Sequence, residues 1–436
     1  MNVLIRTDAS SQIGTGHVMR CLTLADGLRL RGAQVRFCSN AANLISERGY
    51  EVFLPSPQGG EGLGVRSDLL IVDHYGLDIA WERTQRPHFK KILVIDDLAR
   101  AHDCDILLDQ NLVANWQTRY TGKVSENCKL LLGPKYALLA PVYAELHDRI
   151  PPREGPVKRI LVSFGGGEHQ DLYEQILQQP GIDYDIATPG KYSSLVPLMA
   201  KADLAIGACG ISTWERLCLG LPSYVVVLAD NQVEISRELI RRELVRQYEG
   251  ELPSEIEPGW SKRCTEVVDG RGLHRALAVL TADKNMPLQI RHANLKDEVW
   301  LLELANDPVT RKNSYSPENI TAEEHRAWFY QKLREFDSCC LYILETHDGI
   351  PVGQVRFDRM EEQTWEIDYS LASAFRGHLL GDRLLQTALT RFQTQQGSAS
   401  VVGKVKISNR ASQRVFESLG FRAANGSDAI SYRKEI

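Results

Sequence analysis

The chain has 436 residues, 43% of them hydrophobic and 25% charged, with a formal net charge of -5. That length exceeds one ordinary core and predicts a multidomain protein. The acidic balance, with no basic run or stripe, argues against nucleic acid as a partner. Nine cysteines, odd in number and without a C-x-x-C, read as reduced core residues of a cytoplasmic protein. The N-terminus lacks a charged region followed by a long apolar block, and runs such as SYVVVLA at 223–229 fall far below the roughly 20 residues of a membrane-spanning helix. The expectation is a protein with no signal peptide and no membrane partner; oligomeric state stays open.

Residues 2–7 (NVLIRT) read as a buried strand. A helix follows over 17–31, with Val18, Cys21, Leu22, Ala25 and Leu28 on one face. The unit repeats, with short apolar strands expected at 34–39, 67–75, 91–97, 105–111 and 129–139, runs that suit a parallel sheet covered on both faces. IPPREGPVK at 150–158 reads as a linker. A second series then places strands at 159–167, 183–190, 202–210 and 222–230. The fold class is therefore α/β, with Rossmann-like lobes at 1–150 and 151–284 and a cleft where the carboxyl ends of their strands face each other. From about 287 the texture changes to aromatic helices, antiparallel-looking strands joined by a tight turn at HDG, and a closing helix, strand, helix and strand pair. Residues 287–436 are expected to form a separate α+β domain.

The stretch IGTGHVMRC at 13–21 sits where the first strand hands over to its helix. A dinucleotide turn G-x-G-x-x-G fails there, because Met19 takes the third glycine position and Cys38, Ser39 and Asn40 offer no acid for a ribose. Gly14 and Gly16 let the chain turn tightly, so His17 opens the helix beside unpaired backbone N–H groups. The positive helix end favours the uncharged ring, and a neutral imidazole is a ready general base. Asp8, Asp73, Asp96 and Asp97 close neighbouring strands and could orient it; the sequence does not choose among them. Tyr75 could hydrogen-bond a sugar hydroxyl or a phosphate oxygen. We take His17, Tyr75 and Asp8 as the catalytic set. No H-x-x-H or carboxylate pair has ligand spacing, so chemistry without a metal is expected.

In the second lobe SFGGGEHQD (163–171), with Gly165 and Gly166, is a glycine loop entering a helix, a natural diphosphate cradle. ACGISTWERLCLGLP (208–222) repeats the arrangement. Ser212 to Glu215 spells a capping box, so Glu215 either reaches back to the helix start or accepts ribose hydroxyls; both readings stay open.

GTGHVMRCLTLA, VDHYGLD, IDDLA, GPKYALL, SFGG and GISTWERLCLGLP followed by ADNQ together resemble the UDP-sugar hydrolases of pseudaminic acid biosynthesis, which act on UDP-2,4-diacetamido-2,4,6-trideoxy-β-L-altropyranose. The resemblance covers roughly residues 1–280 and implies the two-lobed fold of type B glycosyltransferases, with UDP held by the second lobe. It further implies that His17 activates water against the anomeric carbon, and that Gly14, Gly16, Gly165, Gly166, Gly210, Ile211, Ser212, Glu215, Asn231 and Gln232 contact the UDP-sugar. Asp171 departs from an asparagine frequent after SFGG.

FRGHLLGDRLL (375–385), LANDPVTR, EEHRAWF and SNRASQRVFESLGF resemble GNAT acyltransferases over about 287–436. This implies acetyl-CoA as co-substrate, contacted by Leu371, Arg376, Gly377, His378, Leu380, Gly381, Asn409 and Ser412. Two departures stand out: Leu379 replaces the middle glycine of the pyrophosphate motif, and Phe416 stands where many relatives carry a tyrosine as general acid. Glu366 and His325 are candidate bases. The expectation is a bifunctional enzyme that hydrolyses a UDP-2,4-diacetamido-2,4,6-trideoxy sugar and N-acetylates the 4-amino group of its UDP-amino sugar precursor. The alternatives are a UDP-sugar glycosyltransferase with a fused acyltransferase, or a domain that senses acyl-CoA or nucleotide-sugar without catalysis.

Overall fold

The computed structural model describes the chain except for residues 10–14, 56–66, 166–168, 177–179, 189 and 193 and the side chain of residue 175. It divides into two compact units, Met1–Leu277 and Ala278–Ile436.

The first unit contains two parallel sheets. Strands β1 (Asn2–Thr7), β2 (Gln34–Cys38), β3 (Glu51–Phe53), β4 (Ser67–Asp73), β5 (Phe89–Ile95), β6 (Ile106–Asp109) and β7 (Lys129–Leu132) pair in the order β3-β2-β1-β4-β5-β6-β7. Their residues are apolar on both faces because helices cover both. Ile5, Leu70, Ile71, Ile92 and Leu93 are wholly buried, each contributing about 1.5–3 kcal/mol by leaving water. Strand order reverses between β1 and β4, so the loops that follow these two strands open side by side at the carboxyl edge. The helix Gly16–Leu30 descends from the first of these loops and is closed by Gly32 at φ 80° with Ala33 N–H bonded back to Leu28.

The strand expected over 129–139 ends at Leu132. Gly133 turns at φ 87°, with Trp116 packed where a Cβ would stand, and Pro134 opens a 3-10 turn that no sheet could continue. The short edge strand β3, which the sequence reading omits, completes the sheet.

The stretch expected to be a linker is anchored. Its β8 (Gly155–Pro156) pairs with a short strand at Glu255–Ile256, and Arg153 is buried, with its guanidinium donating to the carbonyls of Met199, Ala202 and Leu219. β9 (Arg159–Ser163), β10 (Asp183–Ile186), β11 (Leu204–Ala208), β12 (Ser223–Val226) and β13 (Arg246–Gln247) form the second parallel sheet, ordered β10-β9-β11-β12-β13. β14 (Glu255–Ile256) runs antiparallel to β8. Here the order reverses between β9 and β11, which places the loops carrying Gly165 and Gly210 together. The helix Pro141–His147 lies before the proposed boundary yet packs into the second lobe, where Tyr143 joins that core and His147 Nδ1 lies 2.7 Å from the Cys218 carbonyl.

The second unit holds a mixed sheet, β15 (Leu288–His292), β16 (Cys339–Thr346), β17 (Pro351–Glu361), β18 (Thr364–Leu371), β19 (Ser400–Lys406), β20 (Arg422–Asn425) and β21 (Ala429–Glu435), in the order β15-β16-β17-β18-β19-β21-β20. The expected HDG turn joins β16 to β17, with Gly349 at φ 72°. All neighbours are antiparallel except β18 and β19. These two pair only from Thr364↔Ser400 to Glu366↔Val402, although both strands run on for several residues. Beyond Glu366 the sheet therefore opens into a gap.

Among the described residues no helix is long and apolar enough to cross a membrane.

Candidate functional site

In the first unit the parallel register sets Asp73 opposite Thr7 at the ends of β4 and β1. His17, the second residue of the helix that follows β1, meets it: His17 Nδ1 lies 2.6 Å from Asp73 Oδ1. Burial works to raise the Asp73 carboxyl, but Arg20 and His17 outweigh it and hold the group well below the usual carboxylate range. The ionised carboxylate accepts the Nδ1 proton and leaves Nε2 as the ring atom able to take another. Arg20 Nε and Nη2 each donate to Asp73 at 2.6 Å, so the carboxylate reaches the ring already matched by a guanidinium. His17 is 6% exposed and Arg20 3%. The edge of the Tyr75 ring packs on the imidazole, with centroids 4.6 Å apart.

Tyr75 donates to Asp97 Oδ2 at 3.0 Å and accepts from Asn231 Nδ2 at 3.0 Å, a bond that crosses from the first lobe to the second. Gly16 permits the same approach: a Cβ there would lie 2.9 Å from Ile211 Cδ1 of the second lobe. His17, Tyr75, Gly16, Ile211 and Asn231 are thus brought together across one cleft.

Asp8 is not part of this group. It forms an ion pair with Arg6 at 2.7 Å, lies 3.0 Å from His74 Nε2 and accepts the Asn40 N–H. Alternation along the chain explains the difference, since Asp8 lies one residue beyond the strand end that faces Asp73. The carboxylate that meets His17 is Asp73, and Asp8, expected in the set, lies against Arg6 and His74 instead. Asp96 also lies apart, in contact with Arg100, Tyr120 and His102. Asp73 and Asp97 were among the strand-end candidates, whereas Arg20 is a member of the site that the sequence did not single out. Arg20 had a signal, since a charged residue three positions after His17 falls on the helix face that is otherwise apolar.

In the second lobe, Gly165 turns at φ 85°, a conformation that favours glycine. Gly14 and Gly166 lie outside the described residues. The helix Ile211–Cys218 begins after Gly210, so Ser212 sits inside its first turn and its hydroxyl accepts from Arg216 instead of capping. The capping-box reading of Ser212 and Glu215 is therefore not formed. Glu215 is half-buried; burial raises its carboxyl, and its partner is the Tyr143 hydroxyl. Gln232 Oε1 accepts the Leu228 N–H, and its amide nitrogen lies close to Gly210.

In the second unit a cavity of about 1240 Å³ occupies the gap between β18 and β19. Leu371, Arg376, Gly377, Leu380, Gly381, Asn409 and Ser412 all line it; His378 does not. Arg376 is held by Asp307 at 2.7 Å, Thr310 at 3.1 Å and the Leu371 carbonyl at 3.1 Å, which fixes the loop entering the helix Gly381–Gln396. Asn409 caps the helix Arg410–Ser418 by accepting the Ser412 N–H. The two helices touch at Gly381, where a Cβ would lie 2.9 Å from Val415 Cγ2. Leu379 keeps a left-handed φ of 57° with its side chain 74% exposed. Glu366 lies outside the cavity beside Lys404, at 3.5 Å. His325 lines the cavity, buried, with neither ring nitrogen hydrogen-bonded, and burial lowers it from the ordinary histidine value.

A two-lobed parallel α/β unit with a buried His–Asp–Arg cluster at its switch point is thus joined to a mixed-sheet unit whose parallel central strands splay around a cavity. Residues 288–422 match the acetyltransferase (GNAT) domain family, so the second unit carries that domain. The whole chain is similar to an uncharacterized protein of Methanocaldococcus jannaschii, 23% identical over 477 aligned positions that span 97% of each chain. The N-terminal region resembles named relatives. One is the UDP-2,4-diacetamido-2,4,6-trideoxy-beta-L-altropyranose hydrolase of Campylobacter jejuni, 33% identical over 187 residues, 41% of this chain and 65% of that protein. Another is the pseudaminic acid cytidylyltransferase and UDP-2,4-diacetamido-2,4,6-trideoxy-beta-L-altropyranose hydrolase of Helicobacter pylori, 28% identical over 261 residues, 55% of this chain and 46% of that protein. The chain spans less than two thirds of either named relative.

Proposed function

We propose that this chain is a cytoplasmic bifunctional enzyme. Its first unit hydrolyses a UDP-2,4-diacetamido-2,4,6-trideoxy sugar to UDP and free sugar, and its second transfers acetyl from acetyl-CoA to the 4-amino group of the UDP-amino sugar precursor. The observation that carries the hydrolytic reading is the 2.6 Å contact between His17 Nδ1 and Asp73, which turns Nε2 toward service as a base. In this reading His17 draws a proton from water as the oxygen attacks the anomeric carbon. UDP departs with its charge held by backbone N–H groups of the loops carrying Gly165, Gly166 and Gly210 and by the start of the helix at Ile211, with Ser212, Glu215, Asn231 and Gln232 as further contacts. No strong acid is required for so good a leaving group; a base, a held water and oxyanion donors suffice.

Acetyl-CoA suits the long gap between β18 and β19, with its pyrophosphate at the turn of Arg376, Gly377 and Gly381 before the helix N-terminus. Support for the pairing of activities comes from the Helicobacter pylori relative, whose name joins the same hydrolase to a second pseudaminic acid activity.

The test is mass spectrometry of products from a UDP-4-amino-6-deoxy sugar in ¹⁸O water, with and without acetyl-CoA. Acetylated, singly labelled free sugar is expected only with acetyl-CoA present. Sugar released without label, or retained until an acceptor alcohol is added, would overturn the hydrolytic reading.

A further inference from the structure

Acyl transfer from a thioester expels a thiolate, and the cavity of the second unit must meet that charge. Phe416 cannot. It has no polar atom, and its ring stacks on Tyr432, with centroids 5.1 Å apart, and packs against Gly403, where a Cβ would fall 2.6 Å from Phe416 Cζ.

Of the two tyrosines that line the cavity, Tyr315 and Tyr369, the second stands on a strand that borders the gap. Tyr369 stands on β18 three residues past the last bond to β19, lines the cavity, and sets its ring edge-on to Phe416 with centroids 6.0 Å apart. Its hydroxyl donates to Ser412 Oγ at 3.0 Å; Ser412 Oγ also receives the Asn409 side-chain amide at 3.1 Å. A donor whose acceptor is a neutral serine hydroxyl can turn to a stronger, charged acceptor when one forms. We propose that the Tyr369 hydroxyl is the hydrogen-bond donor that stabilises the acetyl-CoA sulfur as it leaves. The inference rests on the acetyl-transfer reading above.

The step balances as follows. The amine lone pair forms the C–N bond to the acetyl carbonyl, the C–S bond breaks, and its electron pair stays on sulfur. The ammonium nitrogen loses one proton to solvent, and the thiolate gains one from solvent. Magnitudes decide between donating a bond and giving up the proton. Burial raises the Tyr369 hydroxyl to about 12, whereas a thiol titrates near 8.5. The phenol therefore keeps its proton and acts as an oxyanion-hole type of donor, a class whose removal costs about 10²–10³-fold in kcat.

The experiment is steady-state acetyl transfer by the full chain with Tyr369→Phe, alongside calorimetric titration with acetyl-CoA. Expected are a fall in kcat of about 100-fold, a KM for acetyl-CoA within about twofold of the parent, and an unchanged Kd that certifies the fold. A Tyr369→Phe enzyme with the parent's kcat would overturn the role of Tyr369 alone. So would a loss confined to KM and Kd, which marks a packing residue. A parent chain that binds acetyl-CoA but acetylates no amine would overturn the acetyl-transfer reading, and this inference with it.

Discussion

Asn231 Nδ2 donates to the Tyr75 hydroxyl at 3.0 Å, and that hydroxyl donates onward to Asp97 Oδ2, also at 3.0 Å. The bond ties the second lobe to the ring that packs on His17. Burial, with the Asp97 carboxylate beside it, raises the Tyr75 hydroxyl above its ordinary range, so it stays protonated and serves as donor to one lobe and acceptor from the other.

Asn231→Ala removes one end of this bridge, and a single such bond is worth about 0.5–1.5 kcal/mol, up to roughly tenfold in kcat/KM for UDP release. Tyr75→Phe removes both bonds and strips Asp97 of a donor, while Asp97 Oδ1 is already buried without a partner. Its loss is therefore expected to be the larger. Steady-state UDP release by the two variants checks the order; equal or reversed effects would show that the bridge does not position the ring.

His17→Gln is expected to slow UDP release by about 10²–10⁴-fold and leave acetyl transfer intact. Arg20→Ala acts differently. It leaves the Asp73 charge buried with the imidazole and the weak Cys21 thiol donor but no guanidinium beside it, and breaking such a pair costs about 3–5 kcal/mol. Calorimetry should show a lower Tm for Arg20→Ala and little change for His17→Gln. If both unfold alike, the histidine is a structural member of the cluster.

The place of His17 was legible because two glycines at a strand-to-helix junction are poor packing ground, and both parallel sheets announced themselves as continuous apolar runs. The identity of its carboxylate partner was not. Asp8 and Asp73 are equally close to strand ends in the sequence, and only the register Thr7↔Asp73 separates them. Ser212 and Glu215 show the same limit on a smaller scale, because S-x-x-E signals a cap only if the helix starts at the serine, and it starts one residue earlier. Tyr369 gave no signal at all: its hydroxyl matters only because two strands part company after Glu366.

Leu379 occupies a left-handed backbone that costs a non-glycine residue about 1–2 kcal/mol. Its side chain is largely exposed, so replacement sacrifices little packing. Leu379→Gly regains that strain but loses about 0.5–1 kcal/mol to the freer unfolded chain. The balance predicts a small gain in stability, read as a Tm rise of a few degrees or less. A lower Tm would mean that the exposed leucine contributes more than its strain costs.

His102 provides the pH dependence. It is fully buried, with Nδ1 2.6 Å from Glu82 and Nε2 3.4 Å from Asp96. Burial alone would lower it, but the hydrogen bonds and charges of Asp96 and Glu82 prevail and raise it from 6.5 to about 9. A raised value means that the folded state holds the proton more tightly than the unfolded state does. The resulting stabilisation, roughly 3 kcal/mol at most, is complete below pH 6.5 and is lost as the pH climbs through about 9. His102→Gln cannot take up that proton, so the gap in Tm between parent and variant is expected to be wide at pH 6 and to narrow steadily toward pH 9.5. Parallel curves across that window would show that His102 is neutral in the folded protein and that the Glu82–His102–Asp96 cluster owes nothing to charge.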